Sequence, residues 1–138
     1  MTNVGKNYVD IENDHGETLR YRKHVNGRGL VAHGAKVHPD ARVELGAYIE
    51  PKAQVAAGAI IARGAWVESE AVIGPDSYID ANAHIGPKAQ VGARAHVGVR
   101  TRVGAGARVA KNAKVGDDES IPDGGTVITD ARGLHLAA

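Results

Sequence analysis

Cysteine is absent from all 138 residues. That excludes a disulfide framework, a thiolate metal centre and a thiol nucleophile. Phenylalanine is absent too, and methionine and tryptophan occur once each. A core without Phe has to be filled by Val, Ile, Leu and Ala, which suits a narrow interior of constant width. Neither charge is in excess: 17 Lys and Arg stand against 16 Asp and Glu, a net charge of +1. No global field therefore calls for an anionic partner. No apolar run approaches the ~18 residues that span a bilayer. The opening residues, MTNVGKNYVDIEND, carry acids early and have no apolar stretch, which is not the pattern of a signal peptide. The expectation is a cytoplasmic protein without a membrane segment, of a length that suits one domain.

What is present is a repeat. Stepping by six from Val31, the positions read Val31, Val37, Val43, Ile49, Val55, Ile61, Val67, Ile73, Ile79, Ile85, Val91, Val97, Val103, Val109, Val115, Ile121 and Val127. All 17 are β-branched, and the block 31–132 is 102 residues with no insertion or slip. Four residues after each aliphatic sits a small one, mostly Ala, with Ser77 and Thr101 alongside; only Glu119 and Gly125 depart, near the end of the array. Between them lies a turn position. Gly34, Asp40, Gly46, Gly58, Gly64, Asp76, Asn82, Gly106, Asn112, Asp118, Gly124 and Asp130 occupy it, residue types that accept positive φ cheaply. Lys52, Glu70, Lys88, Arg94 and Arg100 fill the rest, and Pro39, Pro51, Pro75 and Pro87 precede it in four repeats. Pro followed by a positive-φ residue is a type II turn.

Each hexad is thus a short strand and a tight corner. A small and a β-branched residue two apart face one side of a strand, so both point inward and the residue between points outward. Three hexads close one triangular coil of 18 residues, and the block makes about six coils, roughly 27 Å tall at the usual strand spacing. Coils this short bury their inner faces only against neighbours. The expected organisation is an N-terminal cap over 1–30, the solenoid over 31–132 and a tail over 133–138. Within the cap, Tyr8–Glu12 and Leu19–Val25 alternate on either side of the turn signal Asn13-Asp14-His15-Gly16, which predicts a β-hairpin. The cap would protect an open sheet edge. The alternative is a docking arm built on Arg20, Arg22, Lys23 and Arg28. The tail predicts one last strand.

The hexads VAAGAI, IGPKAQ and VGAGAR at 55, 85 and 103 resemble the motif of the hexapeptide-repeat superfamily. The resemblance covers 31–132 and implies an all-β fold, a single-stranded left-handed parallel β-helix, against the usual handedness of parallel crossovers. Members are mostly trimers of side-by-side prisms, and many are acyltransferases that hold coenzyme A between protomers and use a histidine base.

Sorted by face, the outward residues form three stacks. The first is Tyr48, Trp66, His84 and Arg102, with Glu50 and Glu68 beside it. The second is Lys36, Gln54, Val72, Gln90, Arg108 and Thr126. The third is Arg42, Ile60, Tyr78, His96, Lys114 and Arg132. Tyr48, Ile60, Trp66 and Tyr78 form an exposed apolar belt, which predicts a homotrimer joined through the first and third faces. From Lys88 to Lys114 there are seven basic residues and no acid, a candidate surface for phosphate or another polyanion.

The uninterrupted array and the absence of any catalytic motif make a rigid structural or binding scaffold the first functional expectation; bactofilin-like proteins use such solenoids as filament units. Acyl-coenzyme A transfer is the alternative that the resemblance implies. His84 and His96 are then the catalytic candidates. Tyr48, Trp66 and Tyr78 would line the groove, and Arg102, Arg108 and Lys111 would meet phosphates. A remoter alternative is a metal enzyme resembling γ-carbonic anhydrase, but His33 and His38 stand without the rest of that motif, and no metal ligands are assigned. VGAGAR at 103 is a repeat unit and not a nucleotide loop. Only the basic segment speaks for nucleic acid.

Overall fold

The computed structural model describes residues 2–4, 7–12, 14–130 and 133–137. Asn13 of the expected turn, Ala131 and Arg132 of the last repeat, and Ala138 lie outside them. From Leu30 onward the chain winds through strands mostly two residues long, joined by tight corners, and builds three parallel sheets. Trp66 stands in register with Tyr48 on one side and His84 on the other, and His84 with Arg102. Tyr78 stands likewise between Ile60 and His96, and Val72 between Gln54 and Gln90. The fold is the left-handed parallel β-helix, all-β. Among the described residues no helix is long and apolar enough to cross a membrane.

Coils are joined by backbone hydrogen bonds, such as Trp66 N–H to Ala83 O at 2.9 Å and His84 N–H to Thr101 O at 2.9 Å. Inside, Ile49, Ile61, Ile73, Ile79 and Ile85 have no exposed surface, each worth about 1.5–3 kcal/mol on burial. Ser77 and Thr101, the buried polar residues at small positions, find partners. Ser77 Oγ donates to Gly74 O at 2.7 Å, and Thr101 Oγ1 donates to Gly116 O at 2.5 Å while accepting from Glu119 N–H at 3.2 Å.

Positive φ recurs at the corners, at Gly34, Gly58 and Gly106 but also at Lys52, Glu70, Lys88, Arg94 and Arg100. Two corners depart from expectation. Asp40 keeps negative φ: its N–H is taken by His38 Nδ1 at 3.2 Å, and the turn still closes from Ala41 N–H to His38 O at 3.0 Å. Asp130 lies in the longer strand Thr126–Asp130, which pairs antiparallel with Gly133–Ala137. The tail therefore adds the expected strand, antiparallel to its partner where the coils pair parallel.

At the other end Tyr8–Glu12 and Thr18–Lys23 form the expected antiparallel hairpin. Two pairings were not legible. Thr2–Val4 adds a strand outside Tyr8–Glu12, and Thr18–Lys23 pairs antiparallel with Leu30–Ala32. The cap therefore continues the first sheet. The reversal passes through Gly27 at φ 101°, where a Cβ would come within 2.4 Å of Val43 O; only glycine fits. Tyr21 and His24 from this segment are buried, at 5% and 3% exposure. Arg20 is held by Asp10 at 2.7 and 2.9 Å and lies 4.1 Å over the Tyr8 ring, so the basic cluster of the cap is partly neutralised within it. The last coil presents Asp117, Asp118, Glu119, Pro122 and Asp123 along its rim, a composition that discourages pairing with another edge.

Candidate functional site

In each repeat the residues on either side of the inward aliphatic point outward, the one before it within the short strand and the one after it just beyond. The residue after the aliphatic in one coil meets, diagonally, the residue before the aliphatic in the next. Three side-chain pairs use this offset of 16 residues: Glu50 with Trp66, Glu68 with His84, and Asp80 with His96.

On the first face His84 Nε2 bonds the Glu68 carboxylate. A carboxylate only accepts, so Nε2 carries the hydrogen, and in the neutral tautomer the lone pair lies on Nδ1. The imidazole stacks on the Trp66 indole, with centroids 4.6 Å apart and planes at 18°. Trp66 Nε1 donates to Glu50 Oε2 at 2.8 Å, and the Tyr21 hydroxyl donates to Glu50 Oε1 at 2.5 Å. Burial and then the Glu50 bond push the Tyr21 phenol above its usual range, so it remains a donor. Tyr48 meets Tyr21 edge-on at 5.8 Å. Below this column a cavity of about 250 Å³ is lined by Glu68, His84, Gly86, Arg102, Gly104 and Asp123 among others.

On the third face His96 Nε2 bonds Asp80 Oδ2 at 3.2 Å, and its ring meets Tyr78 edge-on at 5.1 Å. The His96 side chain is 42% exposed against 19% for His84. Arg108 stands on the second face, in register with Gln90 and Thr126, and Lys111 lies at the corner beyond it. The structure thus gathers Tyr48, Trp66, His84 and Arg102 into one column and Tyr78 and His96 into another. It leaves Arg108 and Lys111 apart from both. Winding spreads the basic segment over all three faces, and within it Arg94 is bonded to Asn112 at 2.8 Å and Arg100 to Asp118 at 2.7 and 3.0 Å.

A larger cavity, about 710 Å³, lies on the second face against Lys36, Gln54, Ala56, Val72 and Pro75, with Arg22 among its lining. It is mostly apolar, and His38 in its lining is turned toward Asp40 at 2.8 Å. The first-face cavity is the stronger candidate, because a base, a carboxylate and a cation converge there. Among the described residues no three His, Asp or Glu side chains gather as a metal site. The sequence reading singled out the histidines and the aromatics but gave Glu50, Glu68, Asp80 and Tyr21 no role; the 16-residue offset is the signal that finds the three carboxylates.

No family profile matches the sequence, and no curated protein matches it. Solved structures do. A histidine-to-asparagine mutant of perosamine N-acetyltransferase from Caulobacter crescentus, in complex with CoA and GDP-perosamine, superimposes with a TM-score of 0.72. Its sequence is 26% identical, over 91% of this chain and 60% of that one; the chain spans about three fifths of that enzyme's length. A hexapeptide transferase family protein from Anaplasma phagocytophilum superimposes with a TM-score of 0.51 at 14% identity, covering 78% of this chain and 76% of that one, a likeness of fold alone.

Proposed function

We propose that this chain, a hexapeptide-repeat β-helix, is a coenzyme A-dependent acyltransferase with its site on the first face. The observation that carries the reading is the His84–Glu68 pair, set in a cavity that Arg102 also lines. The likeness to a perosamine N-acetyltransferase solved with CoA supports it. By the same likeness, the proposed acceptor is the amine of a nucleotide-linked amino sugar.

In this reading His84 is the general base. Glu68 fixes the tautomer and leaves Nδ1 to take the proton of the attacking amine. The amine nitrogen forms a bond to the thioester carbonyl carbon, the carbon–sulfur bond breaks, and the proton on Nδ1 passes to the departing thiolate. Products are the amide and free coenzyme A. Arg102, lining the cavity below His84, supplies a guanidinium for phosphate. Arg108 and Lys111 reach a ligand on this face only from a neighbouring copy, which fits a trimer packed through the first and third faces. In that trimer His96 of one copy is a second base candidate beside the belt of Tyr48, Ile60, Trp66 and Tyr78. The cytoplasm, where acyl thioesters of coenzyme A are made, is the compartment this reading requires.

The test is calorimetric titration with acetyl-coenzyme A, followed by thiol release in the presence of amino-sugar nucleotides. Because the chain has no cysteine, a thiol reagent reads only liberated coenzyme A. The expected affinity is micromolar, roughly −8 kcal/mol. His84→Ala should lower turnover by about 10²- to 10⁴-fold, and Glu68→Gln should lower it less. A second reading, a binding scaffold, rests on the unbroken coils, which carry no excursion for substrate contacts between Val31 and Val127. Absence of heat at millimolar ligand together with absence of thiol release would favour it over the transferase.

A further inference from the structure

We propose that Tyr21 and Glu50 are positioning residues that set the orientation of the His84 ring from the N-terminal cap. The proposal rests on the reading of His84 as the base, but its geometry stands by itself. Glu50 accepts from Tyr21 on one carboxylate oxygen and from Trp66 Nε1 on the other, at 2.5 and 2.8 Å. Both oxygens are therefore committed, and the carboxylate is fixed between a buried cap residue and an outward indole. That indole lies against the imidazole at 4.6 Å, nearly parallel to it. The imidazole is then held in two directions, by Glu68 in its plane and by Trp66 on its face. Tyr21 is only 5% exposed and sits on the Thr18–Lys23 strand, locked by pairing on both sides. Rigidity passes from the paired cap through one carboxylate to the base. Trp66 alone, 43% exposed, would be free to change rotamer, and an unsupported ring pair would sample unproductive orientations. The third face has the same diagonal His–carboxylate pair without this support: Tyr78 meets His96 edge-on, at 63°.

Trp66 is the sole tryptophan, so its emission reads the stack directly. Protonated imidazole quenches indole, so acidification should quench Trp66 in the wild type and not in His84→Gln. The charged groups facing that ring, Glu68 and Arg102, remain unchanged in the test variants, Tyr21→Phe and Glu50→Gln. Each variant should lose at least half of the acid quench while keeping the far-ultraviolet spectrum of the β-helix. Each should also lower kcat by about tenfold with little change in KM for acetyl-coenzyme A. Glu50→Asp, which keeps both acceptor oxygens, should recover part of the quench. The proposal is overturned if Tyr21→Phe and Glu50→Gln retain the wild-type quench. If the quench is lost while the wild type releases no thiol from any acceptor, the positioning stands and the transferase reading fails.

Discussion

His24 shows how a residue with catalytic credentials becomes architecture. It is 3% exposed, and its Nε2 lies 2.8 Å from Ala41 O; a carbonyl only accepts, so the ring donates. Burial lowers its pKa, the Ala41 bond opposes that, and the Arg22 charge adds to it. A histidine depressed on folding contributes its full stability above the unfolded value, 6.5. Below that the unfolded chain binds the proton first, and the contribution is lost as pH falls through the folded pKa. Urea unfolding at a series of pH values should show stability declining below 6.5. His24→Gln, which keeps a donor for Ala41, should flatten part of that decline; an unchanged slope would exclude His24 as its source. Site chemistry was only partly legible for a related reason. The sequence shows His84 and Glu68 as outward residues, but their bond depends on one coil lying diagonally on the next, and a search by hexad position separates them.

The corner and the close approach are the two devices that make each coil, and they predict opposite responses to small changes. Lys52 holds φ at 67°, a conformation that costs an L-residue about 1–2 kcal/mol. Lys52→Gly should relieve it, offset by about 0.4–1 kcal/mol of unfolded-chain entropy. The net is a gain of about 0.5–1 kcal/mol, read as a higher unfolding midpoint. Gly86 has no such freedom to give. A Cβ there would meet Ala105 N and Val103 O at 2.8 Å, both backbone, so Gly86→Ala must push one coil from the next. It should cost about 1–3 kcal/mol, and it should weaken ligand binding at the His84 cavity, whose wall it forms. Element existence was nearly all legible, because aliphatic, small and turn residues recur at fixed steps and each step has one steric meaning. The exceptions have local causes: a side-chain acceptor at His38 reset the Asp40 turn. The extra cap strand Thr2–Val4 and the pairing of Thr18–Lys23 with Leu30–Ala32 lie outside the periodic block, where no repeat constrains the reading.

A prism of this kind has one core, one cap and three outer faces, and its faces carry unequal apolar surface. Tyr48, Trp66 and Tyr78 are 36%, 43% and 39% exposed, on the two faces that bear the His–carboxylate pairs. Ile60 lies between Arg42 and Tyr78 on the third face and takes no part in the first-face column. It is therefore the position where assembly can be tested without disturbing the candidate base. Ile60 is half-buried in the isolated prism, less open than the expected belt, and Ile60→Glu places a carboxylate beside Arg42 there, an opposite-charge pair that an isolated prism accommodates. Buried between two prisms, the same carboxylate would lose its hydration, a cost of several kcal/mol. Light scattering should therefore give a trimer for the wild type and a mass near the single chain's 14.4 kDa for the variant, with the same far-ultraviolet spectrum. Under the proposed function, thiol release should fall with the mass, because Arg108 and Lys111 would meet a first-face ligand only from a neighbouring copy. If the variant keeps its mass, the third face is not part of the interface, and His96 then has no route to the His84 site.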